Sequence, residues 1–181
     1  MKIAILTSCF VLISSTFFAQ QIIINDVQRD GKLTWNDFPE KNDPNLAFVA
    51  YIKYDYKYSI PSFKLENNVI VPAEVIGTLE FNRNESWVRP GMQSEEILEH
   101  EQGHFNIGIL TIREIMKELK SIRFQPKEKN PKQILDGIVE KISKKYTEME
   151  KQYDLETNHS QNKENQAKWN HFFREQLPEL Y

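Results

Sequence analysis

Hydrophobic and polar positions along the chain follow two different periods, and the change between them falls near residue 90. In the first half, aromatic and β-branched residues alternate with polar ones, most regularly over residues 47–60. Alternation at period two is typical of a strand whose two faces meet different surroundings. The sequence therefore predicts a strand here, with Tyr54, Tyr56 and Tyr58 on one face.

Two further stretches, residues 67–82 and 86–88, are also predicted to form strands. Pro72 and Gly77 are expected to break or bulge the longer stretch, because proline cannot donate to a ladder of hydrogen bonds and glycine weakens a strand. The first half of the chain is thus predicted to be β-rich.

Helical periodicity replaces this pattern from Ser94 onward. Ser94 is a good N-cap, Glu95 and Glu96 suit the positive end of the helix dipole, and the pattern continues to about Arg123. A second helix is predicted over residues 132–152, where apolar residues recur three or four positions apart.

A polar segment, residues 153–162, is predicted to link that helix to a last one, which carries Trp169, Phe172 and Phe173. Strands followed by helices indicate an α+β fold. We therefore expect a single domain in which a β-rich N-terminal half packs on a helical C-terminal half.

Residues 1–20 resemble a secretory signal peptide, because one lysine is followed by an apolar run that ends in small residues. That run is close to the ~20 residues of a membrane span, so a retained anchor is the alternative to cleavage. The chain's one cysteine, Cys9, lies in this segment, so residues 21–181 are predicted to form a domain without disulfides. A secreted or periplasmic location follows.

The charge and hydropathy of the chain exclude two classes of partner. A formal net charge of −3 and a pI near 5.9 argue against a general nucleic-acid binder. No stretch after the signal peptide is apolar enough to span a membrane, so we expect no membrane contact once it is cleaved.

The first predicted helix contains an HExxH pattern formed by His100, Glu101 and His104. Histidines four apart lie one above the other on a helix, and can present two imidazoles to one zinc ion. Glu101 projects beside them, where it can act as general base toward a water molecule that zinc has activated. A catalytic zinc site also needs a third protein ligand and an open position.

An accidental His/His pair on an ordinary helix is the alternative, because a chain of this composition contains HExxH by chance about once in a hundred such sequences. The amphipathic helix, the export signal and the scarcity of histidine all favour a metal site. Gly108 lies one turn beyond His104. Its lack of a side chain would let a neighbouring segment approach the site; the alternative is that the glycine only allows ordinary helix packing.

Several residues are candidates for the third ligand. The metzincin extension would need glycine and histidine where the chain has Ile107 and Leu110, so that class is excluded. His159 lies in the polar segment, from which a loop could reach the metal, although it could also be a surface histidine. The remaining candidates are three downstream glutamates, which resemble solvated charges, and His171, which we expect to be structural; the glutamates are Glu114, Glu118 and Glu140.

The chain resembles the bacterial domain-of-unknown-function 922 family, which is regarded as secreted zinc-dependent proteases of the zincin type. The helix motif is common to all zincins, and its combination with the segment near the end of the chain is the specific part. The family usually has glycine after the terminal histidine, where this chain has Ser160. The matching residues are 33–38, 98–105, Tyr153, Asp154, Glu156, Thr157, His159, Gln166 and Trp169.

The resemblance implies that His100, His104 and His159 bind Zn²⁺ and that Glu101 is the catalytic base. It also implies a compact zincin-like fold, in which a strand ahead of the helix, at residues 75–81 or 86–88, offers its edge to an extended peptide.

The polar segment offers further candidates for the site. Asp154 and Glu156 could hold a ligand imidazole by its second nitrogen. Tyr153 could donate to the oxyanion of the tetrahedral intermediate, although a core-facing tyrosine is an equal alternative.

The function expected from the sequence is a zinc metallopeptidase that hydrolyses peptide or protein substrates. The alternatives are an exported binding or assembly protein that keeps a structural, non-catalytic zinc site, and a metal-free interaction domain.

Overall fold

Strands and then helices follow one another along residues 20–181, the part of the chain that the computed structural model describes. The predicted signal peptide lies outside these residues except for Gln20. The α+β class and the order of its two halves are confirmed. The strands are β1 Gln20–Ile24, β2 Val27–Gln28, β3 Ala50–Tyr51, β4 Tyr54–Ser59, β5 Phe63–Glu66, β6 Val69–Pro72, β7 Ile76–Phe81 and β8 Trp87–Val88. The helices are α1 Glu95–Ser121, α2 Pro131–Thr157 and α3 Lys163–Gln176, with short 3-10 turns at Trp35–Asp37 and Pro178–Leu180.

The main sheet has the order β2-β1-β7-β4, with β1 parallel and β4 antiparallel to β7. Leu79 and Phe81 on β7 are buried against α1, and the tyrosines of β4 pack on the same core at period two, as the sequence predicted. Because β7 lies between two strands, neither of its edges is free. The prediction that residues 75–81 offer an edge to a peptide is therefore wrong.

Two smaller sheets complete the β-rich half. One pairs β3 with β8, and the other is the β5–β6 hairpin. At the hairpin turn, Asn67 and Asn68 both have positive φ, a conformation that asparagine tolerates better than most residues. Glu40 forms an isolated bridge with Val88 on β8, so the edge of residues 86–88 is occupied as well.

Helix α1 forms the centre of the molecule. It begins after Ser94, whose side chain accepts a hydrogen bond from the Ile97 amide, as expected of an N-cap. Strands β1, β4 and β7 of the main sheet contact α1, and helices α2 and α3 also pack against α1. Buried residues therefore occur almost all round the helix, where Phe105, Ile107 and Ile109 are each fully buried. None of the helices among the described residues is long and apolar enough to cross a bilayer.

Two glycines differ in how they match the sequence prediction. Gly77 lies within β7 and does not break it; a Cβ there would come within 2.4 Å of the Met116 sulfur, so the glycine allows α1 to pack closely on the sheet. Gly108 allows the close approach that was predicted, because its Cβ position lies 2.8 Å from the ring of Tyr54.

Helix α2 is longer than the sequence predicted, and this difference matters for the site. It was expected to end at Gln152 but continues to Thr157, so Tyr153 and Asp154 lie on the helix and not in a loop. Tyr153 and Thr157 are one turn apart and both fully buried. The buried face of α2 therefore continues through a segment whose polar composition is typical of a linker.

A Gly103→Ala substitution is expected to destabilise the protein by about 1–3 kcal/mol or more. A Cβ at Gly103 would lie 2.1 Å from the Tyr153 hydroxyl, inside a fully packed contact between α1 and α2. Thermal unfolding measures the effect. Gly137→Ala on α2 is the matched control: no atom lies within 4 Å of its Cβ position, so it should stabilise by up to about 1 kcal/mol. Equal effects of the two substitutions would contradict the packing argument.

Candidate metal centre

The two histidines of the HExxH pattern point the same ring nitrogen toward one carboxylate on the neighbouring helix. His100 Nε2 lies 3.3 Å and His104 Nε2 3.1 Å from Asp154 Oδ1, and the two rings are 4.8 Å apart. One ligand atom from each of these three residues lies within 4.8 Å of the others. Helices α1 and α2 thus bring together two imidazoles and one carboxylate, which is a donor set suited to zinc.

The other nitrogen of each ring is held by a second group. His100 Nδ1 lies 3.3 Å from Gln166 Oε1 and 3.4 Å from Thr157 Oγ1. The Thr157 hydroxyl donates to the Tyr153 carbonyl and the Gln166 amide donates elsewhere, so both oxygens are free to accept from His100. His104 Nδ1 contacts the Glu150 carboxylate. A proton on Nδ1 of each ring leaves the Nε2 lone pair directed at the shared point, the arrangement found in metal-binding histidines.

Charge around the two rings favours a cation. Burial alone would lower the pKa of His104, but its hydrogen bonds to Asp154 and Glu150 outweigh burial and raise the pKa to about 10. Burial alone would raise the pKa of Asp154, but hydrogen bonds from His100 and His104 hold it below its usual range. The carboxylates therefore stabilise a positive charge where the rings converge. A divalent cation would displace the His104 proton there.

Glu101 lies beside this centre and not in it. Its side chain is buried, lines the cavity that the two histidines also line, and makes a hydrogen bond with the Ile52 backbone. Burial raises the pKa of Glu101 to about 7, with His104 opposing the shift and Asp154 and Glu150 adding to it. A carboxyl group of this kind can accept and release a proton near neutral pH.

Tyr153 packs against His100 inside the core. It is 0% exposed, its ring stacks on His100 with centroids 4.8 Å apart, and its hydroxyl donates to the His100 carbonyl at 3.0 Å. The same hydroxyl accepts from Gln166 Nε2 at 2.8 Å. Burial raises the pKa of Tyr153 far above its usual value. This hydroxyl is not directed at the cavity, so the geometry does not match the predicted oxyanion donor and corresponds to the core-facing alternative.

His159 lies next to the centre, as its proposed role requires. Its Nδ1 is 3.1 Å from Asp154 Oδ1, and its side chain is 47% exposed, compared with 5% for His100 and 13% for His104. Asn158, His159 and Ser160 all have positive φ, which turns the chain sharply after α2. Ser160 has a φ of 73°. It occupies the position where the family that the chain resembles usually has glycine, the residue that adopts this conformation most easily.

The other candidates from the sequence lie elsewhere. Glu114 pairs with Lys145 and Tyr146, and none of the three candidate glutamates lines the cavity. Glu118 and Glu140 are exposed. His171 is an exposed residue of α3 that lies 3.3 Å from Glu175. Glu156 does not hold a histidine, since it accepts from the Trp169 indole and from Gln152.

Sequence reasoning missed Glu150, which lies one turn before Asp154 on α2 and contacts His104. It also receives a hydrogen bond from the Tyr54 hydroxyl of β4. The spacing of four residues between Glu150 and Asp154 was the available signal, because it places both carboxylates on one helix face. With α2 predicted to end at Gln152, that spacing could not be used.

An open cavity of about 530 Å³ gives access to the centre. Its lining includes Glu101, the histidines His100, His104 and His159, and residues 47–54, which contain β3. Within the described part of the chain, β3 pairs with β8 alone. The cavity is therefore bordered by a strand with one unpaired edge.

These features define an α+β protein with a candidate metal centre between two helices. The chain belongs to the family described as bacterial protein of unknown function (DUF922), whose model matches residues 37–161 and so includes the whole centre. Neither the curated proteins nor the solved structures yield a significant match to this chain.

Proposed function

We propose that the protein is a secreted or periplasmic zinc-dependent peptidase with a zincin-like site. The observation that carries the proposal is the convergence of His100 Nε2 and His104 Nε2 on one point, with both Nδ1 atoms held. A third ligand comes from the end of α2 or the loop after it, where the resemblance assigns His159 and where Asp154 also offers a carboxylate. The donor set suits zinc, and the carboxylates offset its charge.

Bound zinc supplies Lewis-acid activation of water and of the scissile carbonyl. Glu101 moves the proton. It takes one proton from the water as the water oxygen bonds to the carbonyl carbon. It then gives that proton to the amide nitrogen as the C–N bond breaks, which leaves an amine and a carboxylic acid; the second proton of the water then passes from the acid to the amine or to solvent. This role is supported by the position of Glu101, which is buried and lines the same cavity as His100 and His104.

The unpaired edge of β3 supports a peptide as the substrate. A strand edge can bind an extended peptide through its backbone groups, and β3 lines the same cavity as Glu101. The 530 Å³ volume accommodates a few residues of such a peptide.

Metal content and peptide cleavage test the proposal together. We expect the purified protein to bind about one equivalent of zinc and to cleave members of a mixed peptide library, and chelation should abolish cleavage until zinc is restored. His104→Ala should lose both properties. His171→Ala, which removes an exposed histidine of α3, is the matched control and should keep both.

Two results would contradict the proposal in different ways. A wild-type protein that binds no zinc would favour the metal-free interaction domain. A protein that binds zinc tightly but cleaves no peptide would favour the structural zinc site of an exported binding or assembly protein.

A further inference from the structure

We propose that Asp154 is the third protein ligand of the metal and that His159 stays outside the metal shell and binds the substrate from the wall of the cavity. This inference rests on the proposed function. It moves the role of third ligand from His159, to which the resemblance assigned it, to Asp154, and so divides metal binding and substrate binding between the two residues.

The number of donors at the centre requires such a division. His100, His104, Asp154 and His159 all carry donor atoms around one point. A tetrahedral zinc ion that held all four would be a closed, structural site, whereas a catalytic site keeps one position for water or substrate. One of the four must therefore remain outside the metal shell if the site is catalytic.

The arrangement of the donor atoms identifies that residue as His159. The ligand atoms of His100, His104 and Asp154 lie within 4.8 Å of one another, and His159 is not part of that group. The three grouped residues lie on α1 and α2, which pack directly on each other, so their positions are fixed by the core. His159 lies on the loop that follows.

The polar contacts of the three histidines also indicate that His159 is the residue outside the metal shell. His100 and His104 each have a polar partner on both ring nitrogens, as an oriented metal ligand does. Among the described residues, the polar contact of His159 is on Nδ1, with Asp154. Its ring lies 5.1 Å from Phe48 at the wall of the cavity, which both residues line.

This arrangement suits a residue that binds the substrate by a hydrogen bond. Asp154 Oδ1 accepts the Nδ1–H of His159, so Nε2 offers a lone pair to a peptide N–H in the cavity. Because a carboxylate has two oxygens, Asp154 can bind the metal and orient His159 together.

The backbone of the loop provides a reason for His159 to be positioned rather than mobile. Three successive residues with positive φ, Asn158 to Ser160, fold the chain back after α2, and the Asn162 amide closes the turn on the Thr157 carbonyl at 2.8 Å. Such conformations cost of order 1–3 kcal/mol each for non-glycine residues and are concentrated at functional sites.

Titration with Co²⁺ and Zn²⁺, followed by visible absorption and calorimetry, separates the two roles. Asp154→Asn keeps the shape of the side chain, and His159→Asn suits the left-handed backbone, so both variants should fold. We expect Asp154→Asn to weaken metal binding at least tenfold and to change the Co²⁺ spectrum. His159→Asn should bind metal within about threefold of wild type with an unchanged spectrum, yet show a kcat/KM for peptides about tenfold lower, the loss of one substrate hydrogen bond. His171→Asn should match wild type in every measurement.

The possible failures are distinguishable. If His159→Asn loses metal affinity while Asp154→Asn keeps it, the two roles are reversed and only this inference is overturned. Loss of affinity in both variants would indicate a closed four-ligand shell, which also overturns it. A wild type that binds no metal would overturn the proposed function at its base, and a metal-loaded wild type that cleaves no peptide would overturn hydrolysis together with the substrate role of His159.

Discussion

Glu101→Gln is expected to lower kcat/KM for peptide hydrolysis by about 10²–10⁴-fold while zinc content stays at the wild-type value. Glutamine has the shape of glutamate but cannot accept the proton of the attacking water, and Glu101 lies beside the metal ligands and not among them. The measurement is steady-state cleavage of the best library peptide by wild type and variant, each assayed for zinc.

The unfolding temperature separates this effect from damage to the fold. Glu101 is buried, and burial raises its pKa to about 7, so a neutral amide in its place should unfold close to the wild-type temperature. Glu99→Gln is the matched control, since Glu99 is an exposed residue two positions earlier on the same helix. A Glu101→Gln variant that keeps zinc, fold and full activity would exclude Glu101 as the base.

The part of the site that lies on α1 could be predicted from the sequence because it depends on local geometry. A serine N-cap, acidic residues in the first turn and a long apolar stripe fix where the helix begins, and the spacing of four then places His100 and His104 on one face. Nothing outside that segment is needed to make this prediction. The α+β order of the chain could be predicted for the same reason.

The part contributed by α2 could not be predicted, because tertiary contacts determine it. The segment from Tyr153 to Thr157 has loop-like composition, yet it remains helical since Tyr153 and Thr157 are buried against α1 and α3. Glu150, one of four glutamates on α2, becomes a partner of His104 only when the two helices pack together. Local propensity is routinely overridden in this way.

The pairing of β1 with β7 was missed for a related reason. Gln20 pairs with Gly77 and Ile24 with Phe81, a parallel contact between segments more than 50 residues apart. Such a pairing has no local signal, and β1 begins at Gln20, the last residue of the predicted signal peptide, so its apolar residues look like a continuation of that segment. The register of the main sheet thus required the structure.

Tyr153 gives the second large effect, and here stability and catalysis should separate. Tyr153→Ala is expected to destabilise the protein by about 3–5 kcal/mol, because it removes a fully buried aromatic side chain at the contact between α1, α2 and α3. Chemical denaturation of the metal-free protein measures this cost. Tyr146→Ala, which removes a buried tyrosine two turns earlier on α2, serves as the control for packing loss away from the centre.

The milder Tyr153→Phe variant distinguishes the two roles considered for this residue. It removes only the hydroxyl, and with it the bonds to the His100 carbonyl and from the Gln166 amide, which should cost about 1–3 kcal/mol in this buried contact; the Gln166 amide keeps its bond to Asn170 Oδ1. Gln166 also holds His100 Nδ1, so zinc affinity should fall, by about tenfold. Once loaded with zinc, the variant should hydrolyse peptides at close to the wild-type kcat. If stability and zinc affinity were unchanged but kcat fell about 10²-fold or more, Tyr153 would instead be the oxyanion donor that the sequence first suggested. Because the hydroxyl is fully buried and binds backbone and amide groups behind His100, we expect the first result.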